Sequence, residues 1–171
     1  MRMVLRATTI FLTAASGLAL AACGGTASPT SNGAAASPSQ AALIHTQSMK
    51  VGSSTMTVLK NAKGLTLYYF TPDTSSTVAC TGACATNWPP LLSTGDTPTS
   101  SPSLPGQLTV MNGTNGKQVV YNGHPLYTYA KDGDSGDAYG QGIGGKWFVA
   151  TPDLAAAAAA NAGSGGYTPS Y

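Results

Sequence analysis

The chain has 171 residues, with eight Lys or Arg and six Asp or Glu, so its formal net charge is only +2. Arg2 and Arg6 account for that excess, and the remaining six lysines balance six aspartates. A neutral chain offers no electrostatic basis for contacts with phosphates, so we expect no nucleic acid among its partners.

The N-terminus predicts export. Residues 1–6 are a short basic segment, and residues 7–22 are small or apolar and uncharged, as in a signal peptide. The stretch Leu20-Ala21-Ala22-Cys23 resembles a bacterial lipobox, which implies cleavage before Cys23 and a thioether-linked diacylglycerol on it. An ordinary secreted protein and an uncleaved anchor are the alternatives, although the apolar stretch is short for a membrane span. We expect lipid anchoring at the extracytoplasmic face of the bacterial cell membrane.

Two low-complexity segments flank the remaining chain. Residues 23–47 follow the signal peptide as an uncharged segment without aromatic residues, which predicts a flexible tether behind the lipidated Cys23. Residues 154–171 are an alanine run followed by a glycine- and serine-rich stretch, which predicts a low-complexity tail. Residues 48–153 are left as one small domain that can bury only a modest core.

A shift of 59 residues aligns this domain with itself without a gap. The matched pairs include both tryptophans of the chain and are Gly64 with Gly123, Leu67 with Leu126, Tyr68 with Tyr127, Phe70 with Tyr129, Asp73 with Asp132, and Trp88 with Trp147. This agreement predicts a duplication, with repeat 1 at about 56–92 and repeat 2 at about 115–151.

Each repeat predicts a strand, a turn and a second strand. Residues 118–121 and 124–130 flank Asn122-Gly123, a strong signal for a two-residue hairpin, and residues 56–60 and 65–70 flank a longer turn. Helical periodicity is absent apart from the alanine run and one turn near residues 81–86. The predicted fold class is mostly β: one small antiparallel β domain built from two duplicated hairpin repeats, flanked by disordered segments.

Strand alternation places Tyr68 and Phe70 on one face, and Tyr127 and Tyr129 on the equivalent face of repeat 2. We expect these rings to join Trp88 and Trp147 in one core, although a row of tyrosines can also form a sugar-binding platform. Asp73 and Asp132 close their strands as turn caps or as catalytic carboxylates, and no acid or base partner for catalysis is identified.

The segments Tyr68-x-Phe70-x-x-Asp73 and Tyr127-x-Tyr129-x-x-Asp132 resemble the Y-x-[FWY]-x-x-D motif of exported "secreted repeat" lipoproteins, a bacterial family common in actinobacteria. The stretch from Cys80 through Trp88 to the following prolines, and the glycine-rich run into Lys146-Trp147, are similar to that family as well. The resemblance covers about residues 48–153 and implies tandem repeats. It implies no established enzymatic activity.

Cys80 and Cys84 are the two cysteines left once Cys23 is acylated. Haem attachment would need a histidine directly after Cys84, where Ala85 stands, and a zinc site would need more ligands than His45 and His124 provide. Outside the cytoplasm a structural disulfide is the favoured interpretation. The alternative is a copper(I) or redox site, since soft thiolates suit that ion. Such a copper site would be completed by Met49, Met56, Met111 or His124.

Asp132, Asp134 and Asp137 concentrate half of the acidic residues in one glycine-rich loop. Clustered carboxylates can hold Ca²⁺, although the spacing differs from that of an EF-hand and a solvent-exposed loop without a bound ion is the favoured interpretation.

These observations favour a non-enzymatic lipoprotein of the cell envelope that binds or supports an unknown partner or ligand and needs no cofactor. The alternatives are an extracytoplasmic copper-handling or electron-transfer protein that uses Cys80 and Cys84, and, ranked lowest, a hydrolase with an unrecognised site.

Overall fold

The computed structural model describes residues 42–157. The predicted signal peptide, Cys23 and most of the predicted tether and tail lie outside the described residues. None of the helices within residues 42–157 is long and apolar enough to cross a membrane.

The described part of the chain contains eight strands and two short helical turns. The strands are β1 Ile44–Val51, β2 Ser54–Asn61, β3 Tyr68–Phe70, β4 Ser100–Ser101, β5 Leu108–Gly113, β6 Gly116–Tyr121, β7 His124–Tyr127 and β8 Trp147–Val149. One helical turn, α1, spans Ala83–Asn87, where the sequence predicted a single turn, and a 3-10 turn spans Ile143–Gly145.

In residues 42–157 these strands form two sheets. A three-stranded sheet has the order β2-β1-β4, in which β1 is antiparallel to β2 and parallel to β4. A five-stranded sheet has the order β5-β6-β7-β3-β8, with antiparallel neighbours throughout. The parallel contact of β4 is the one departure from the predicted antiparallel arrangement among these pairs.

The turn between β6 and β7 shows why its sequence specifies a hairpin. Asn122 has φ 48° and Gly123 has φ 82°, so both central residues lie in the left-handed region. Asparagine and glycine tolerate that region best, and a two-residue turn of this kind matches the twist of the flanking strands. The hairpin predicted at this position is present.

Strand alternation divides the core into two clusters. The aromatic cluster buries Met49, Val51, Val58, Tyr68, Cys80, Trp88, Tyr127, Trp147 and Val149. The aliphatic cluster buries Ile44, Leu59, Leu67, Leu91, Val119, Tyr121, Leu126 and Ala150. Leu67 and Tyr68 are neighbours in the chain and enter different clusters, as expected for side chains that point to opposite faces of a strand.

Backbone pairing confirms the duplication. Tyr68 of β3 lies opposite Tyr127 of β7, so a local two-fold axis passes between equivalent residues of the two repeats. The turn of repeat 2 is one residue shorter, since Lys60 pairs with Thr66 and Val120 with Pro125, so the gapless shift fails on the strand before the turn, where Leu59 corresponds to Val119. The amide of Leu59 donates to the carbonyl of Ala150 over 2.8 Å, and the amide of Val119 donates to the carbonyl of Leu91 over 2.8 Å. The predicted mostly β fold with two duplicated repeats is therefore confirmed.

The domain extends beyond the predicted limits at its N-terminal side. Residues 44–47 were assigned to the tether, but they form the first half of β1 and pair with the end of β2. Ile44 is fully buried in the aliphatic cluster. The tether prediction was wrong at these four positions because it used average polarity, whereas this segment is held by the burial of Ile44 and by its backbone pairing with β2.

The first residues of the predicted tail also contact the domain. Leu154 packs against the aliphatic cluster, and the Asn122 side-chain amide donates to the Leu154 carbonyl over 2.8 Å. The amide of Ala157 donates to the Asn122 carbonyl over 2.8 Å. Residues 154–157 therefore belong to the folded body, and the rest of the predicted tail lies outside the described residues.

Candidate functional site

The aromatic residues of the two repeats meet in a continuous stack of four rings, which we call the four-ring stack: Phe70, Trp147, Trp88 and Tyr129, in that order. Phe70 and Trp147 lie 4.3 Å apart between ring centroids, as do Trp88 and Tyr129. The central pair, Trp88 and Trp147, lies 3.7 Å apart with an interplanar angle of 1°. Each tryptophan stacks on an aromatic residue of the other repeat, so the stack crosses the two-fold axis.

Tyr68 and Tyr127 close the sides of the four-ring stack. Tyr68 meets Trp88 edge-on with a centroid distance of 5.5 Å, and Tyr127 meets Trp147 edge-on at 5.2 Å. Both tyrosines are fully buried, and each tryptophan is only 5% exposed. The predicted common core of motif aromatics is present: both tryptophans are buried between Phe70 and Tyr129, and these two end rings are partly exposed.

The motif aspartates bind the motif tyrosines of the opposite repeat. The Tyr68 hydroxyl donates to Asp132 Oδ2 over 2.6 Å, and the Tyr127 hydroxyl donates to Asp73 Oδ2 over 2.5 Å. Tyr68 and Asp73 belong to repeat 1, while Tyr127 and Asp132 belong to repeat 2. Neither repeat therefore completes its own tyrosine–aspartate pair.

The second oxygen of each aspartate binds the loop that follows it. Asp73 Oδ1 accepts from the amide of Ala79 over 2.7 Å, and Asp132 Oδ1 accepts from the amide of Tyr139 over 3.1 Å. The predicted turn-capping role is therefore present. Sequence reasoning missed the hydroxyl partners because they lie 64 and 54 residues away in the chain.

Burial governs the acidity of these pairs. It raises the pKa of Asp73 and of Asp132 above the usual aspartate value, and the hydrogen bonds from the tyrosines and backbone amides oppose that rise. Burial and the bonded carboxylate both raise the pKa of Tyr68 and of Tyr127, so both phenols keep their protons at neutral pH. Each pair is thus a neutral donor bound to a carboxyl acceptor.

Gly140 permits the close approach of its loop to the rings. A Cβ atom on this residue would lie 2.7 Å from Cε1 of Tyr68 and 2.9 Å from Cη2 of Trp88, so only glycine fits. Its amide also donates to the Tyr68 hydroxyl over 3.2 Å. The sequence offered glycines in this run but no signal that one of them contacts the motif tyrosine.

Lys60 is a residue of this region that sequence reasoning missed. It is 2% exposed, and its ammonium donates to Thr66 Oγ1 over 2.7 Å and to the Ser135 carbonyl over 2.9 Å. Burial lowers the pKa of Lys60, while the nearby Asp132, Asp137 and Asp134 oppose that change. The available signal was a lysine directly after the apolar pair Val58-Leu59.

The acidic loop folds over this buried ammonium. Asp137 Oδ2 accepts from the amides of Gly133 and Asp134, and Asp134 Oδ1 accepts from the amide of Gly136. Asp132 is bound to Tyr68. The structure does not assemble these three carboxylates as a ligand set, and among residues 42–157 no group of three His, Cys, Asp or Glu side chains is arranged to hold a metal ion.

Cys80 and Cys84 form a disulfide, with their Cα atoms 5.2 Å apart. Cys80 is fully buried in the aromatic cluster, and Cys84 packs against that cluster. The bridge closes the turn that leads through α1 to Trp88. A structural staple and the oxidised form of a redox pair would both have this geometry.

Two surface cavities lie away from the motif residues. The larger has a volume of about 510 Å³ and is lined by Met56, Thr57, Thr151, Pro152 and Asp153. The smaller, of about 230 Å³, is formed mainly by residues 92–99. Neither contains a tyrosine–aspartate pair or a cysteine.

Comparison with known proteins gives one match. The family model of Lipoprotein_15, described as a secreted repeat of unknown function, matches residues 56–92 and 109–151. The model therefore matches two successive segments of the chain. No curated protein and no solved structure shows a significant match.

The two matched segments of the secreted repeat contain the paired features described above. Tyr68, Asp73 and Trp88 lie in the first segment, and Tyr127, Asp132 and Trp147 lie in the second. The second match begins at residue 109, within β5, so this copy includes most of the β5–β6 hairpin. A secreted repeat implies an extracellular location for the domain.

Proposed function

We propose that this protein is a non-enzymatic lipoprotein of the bacterial cell envelope. Its double repeat would serve as a rigid body that binds or supports an envelope component, and acylated Cys23 would anchor it to the extracytoplasmic face of the membrane. The observation that carries the proposal is the reciprocal bonding of Tyr68 with Asp132 and of Tyr127 with Asp73.

The bonding pattern supports a structural role for the motif rather than a catalytic one. Catalytic groups with shifted acidity normally line a cavity that a substrate can enter. Here both tyrosines are fully buried and both aspartates are at most 6% exposed. The most distinctive side chains of the repeat therefore join the two copies to each other.

The length of chain between Cys23 and the domain would allow an anchored protein to hold its domain away from the membrane surface. Residues 24–43 separate Cys23 from the start of β1 at Ile44. A fully extended segment of that length spans at most about 70 Å. Such a length would let the domain contact envelope material at some distance from the membrane surface.

Detergent partition tests the anchor. We expect the wild-type protein to enter the detergent phase of a membrane extract, and Cys23→Ser to be released or to stay unprocessed. The double variant Cys80→Ser/Cys84→Ser is the matched control and should partition like the wild type. Intact mass spectrometry should show loss of residues 1–22 and a diacylglycerol adduct. Wild-type protein found wholly in the aqueous phase with Met1 intact would contradict the proposal.

Copper handling or redox chemistry at Cys80 and Cys84 is the second candidate function. It is supported by the position of Met49 and Met56, two soft-ligand side chains that belong to or pack on the cluster containing the cysteines. Thiol titration of unfolded, unreduced protein separates the two functions. Free Cys80 and Cys84 thiols together with stoichiometric copper in the native sample would support copper handling, and the absence of free thiols and of copper would support the structural staple.

A further inference from the structure

We propose that the four-ring stack, together with Tyr68 and Tyr127, is a relay for one-electron oxidation that carries an oxidising equivalent from the surface at Tyr129 to the two buried tyrosines. This activity goes beyond the proposed envelope role and does not depend on the lipid anchor or on the cysteines.

The spacing of the rings is the first observation. Aromatic pairs in proteins usually have centroid separations of about 4.5–7 Å and favour offset or edge-on arrangements. The contacts along the four-ring stack are 4.3, 3.7 and 4.3 Å, and the central tryptophans are parallel. Close parallel π-systems couple electronically, and indole and phenol are the side chains that lose one electron most readily.

The tyrosine–aspartate pairs are the second observation. Packing alone would be served by phenylalanine, without the cost of burying a carboxyl group. Instead each buried phenol donates to a carboxyl oxygen, over 2.6 Å for Tyr68 and 2.5 Å for Tyr127. A phenol that loses an electron must also lose its proton, and this carboxylate is placed to accept it.

The two ends of the four-ring stack differ, which gives the relay a direction. Tyr129 ends the stack in repeat 2 and Phe70 ends it in repeat 1, and both are partly exposed. A benzene ring is much harder to oxidise than a phenol. Electrons therefore leave the stack through the Tyr129 end.

The step balances as follows. A diffusible one-electron oxidant, either an inorganic radical or an outer-sphere metal complex, takes one electron from the stack and is reduced by one electron. The resulting tryptophan radical cation takes one electron from Tyr68 or Tyr127. That tyrosine passes its phenolic proton to Asp132 or Asp73, leaving a neutral tyrosyl radical and a protonated carboxyl. A small-molecule one-electron reductant restores the tyrosine, which recovers the proton from the aspartate.

Pulse radiolysis with azide radicals tests the relay in the full chain in detergent. The expected result for the wild type is a tryptophan-radical absorbance that decays as a tyrosyl-radical absorbance grows, at a rate independent of protein concentration. In Tyr68→Phe/Tyr127→Phe the tryptophan radical should live at least tenfold longer. Asp73→Asn/Asp132→Asn should slow the transfer as well, because the proton acceptor is weakened.

Two matched controls separate transfer within the stack from general oxidation. Tyr121→Phe removes a buried tyrosine of the aliphatic cluster whose hydroxyl donates to the Pro152 carbonyl, and Tyr139→Phe removes an exposed one. Both should leave the transfer unchanged. Near-ultraviolet circular dichroism of the coupled tryptophans checks that the stack survives, and the single variants Tyr68→Phe and Tyr127→Phe replace the double variant if it unfolds.

A chemical readout completes the test. After repeated oxidation in the presence of ascorbate, mass spectrometry should find several-fold more oxygenated tryptophan in Tyr68→Phe/Tyr127→Phe than in the wild type or in Tyr121→Phe. Equal transfer rates and equal damage in folded Tyr68→Phe/Tyr127→Phe and wild-type protein would overturn the proposal, as would the absence of any transfer from tryptophan to tyrosine in the wild type.

Discussion

In repeat 1 the segment before Trp88 is closed by the Cys80–Cys84 disulfide, whereas the equivalent positions of repeat 2, 59 residues later, hold Tyr139 and Ile143. Tyr139 is 65% exposed and Ile143 is 36% exposed. Both segments have a backbone amide bonded to the motif aspartate of their own repeat, and in place of a disulfide the repeat 2 segment has the contact of Gly140 with Tyr68. Both segments nevertheless deliver a tryptophan to the same stack.

A second difference lies beneath the loop that follows the motif aspartate. The buried Lys60 bridges to Thr66 in repeat 1, and Val120 pairs with Pro125 at the equivalent place in repeat 2. The loop over Lys60 contains Asp134 and Asp137, while Ser75 and Val78 occupy the equivalent positions of the other loop. A buried lysine with an acidic loop in one half thus corresponds to a buried valine with an uncharged loop in the other.

These differences show which features the architecture requires. The tyrosines, aspartates and tryptophans at the two-fold axis are equivalent in both repeats, while the loops are held by a disulfide in one half and by glycine contacts and a buried lysine in the other. The two tryptophans at the shared centre should therefore respond alike to equivalent substitutions, whereas the loops, and the tyrosine that a loop contacts, should respond differently.

The largest effect is expected at the central tryptophans. Trp88→Ala and Trp147→Ala should each lower the free energy of unfolding by about 3–5 kcal/mol, because each removes a buried ring from a close-packed stack. Since the two rings touch, the double variant should lose less than the sum of the single variants. Urea denaturation followed by far-ultraviolet circular dichroism measures this. A tryptophan whose removal costs under about 1 kcal/mol would show that the two halves are not equivalent at their centre.

The tyrosine hydroxyls come next. Tyr127→Phe should cost about 1–3 kcal/mol because it leaves a buried Asp73 oxygen without its donor. Tyr68→Phe should cost more, since it leaves both Asp132 Oδ2 and the amide of Gly140 without their partner. Tyr121→Phe provides the comparison at a buried hydroxyl bonded to a backbone carbonyl. Equal stability of Tyr68→Phe and Tyr127→Phe would show that the Gly140 contact contributes nothing.

How far the sequence predicts this arrangement depends on the range of the interaction. The turn at Asn122-Gly123 and the strand alternation at residues 67–70 are local, and their sequence patterns predict them correctly. The duplication follows from matching the sequence with itself. The exchange of tyrosine and aspartate partners between repeats depends on where the two-fold axis falls, which no local pattern records. Lys60 was missed for the same reason, because the loop that makes its burial tolerable lies over 70 residues away.

The buried lysine tests the difference beneath the loops. Lys60→Met should lower the free energy of unfolding by about 1–3 kcal/mol, because the Ser135 carbonyl and Thr66 hydroxyl lose a charged donor. The reverse exchange, Val120→Lys, should be more damaging than Lys60→Met because no acidic loop covers that position. Thermal unfolding of both variants provides the comparison. Val120→Lys tolerated as well as wild type would show that the two sites share a polar environment.

The disulfide should have a local effect in repeat 1. Its five-residue loop predicts a contribution of roughly 2 kcal/mol on the chain-entropy model. Hydrogen exchange of Cys80→Ser/Cys84→Ser should show faster exchange in residues 80–88 and unchanged protection in β6 and β7. Faster exchange throughout both repeats would instead make the disulfide a requirement of the whole domain.

The smallest effect on stability is expected at His124. The equivalent position of repeat 1 holds Leu65. The His124 ring is half-buried against Tyr69 with a centroid distance of 4.8 Å, its Nε2 lies 3.1 Å from the Ala155 carbonyl, and its buried Nδ1 has no partner among the described residues. Burial lowers the pKa of His124, while the Ala155 carbonyl and Asp73 oppose that change.

The sign of the pH effect follows from this shift. The unfolded chain protonates His124 near the usual value of about 6.5 before the folded chain does, so the folded state loses stability as the pH falls below that value. The raised pKa values of Asp73 and Asp132 act in the opposite sense at more acidic pH, because they favour proton uptake by the folded state.

His124→Leu, which installs the residue of repeat 1, should remove the loss of stability between about pH 7 and pH 5.5. His45→Gln, at an exposed position of β1, is the control and should keep it. Urea titrations at several pH values measure the slope, and an unchanged slope in His124→Leu would show that the contact between repeat 2 and residues 154–157 does not depend on the neutral imidazole.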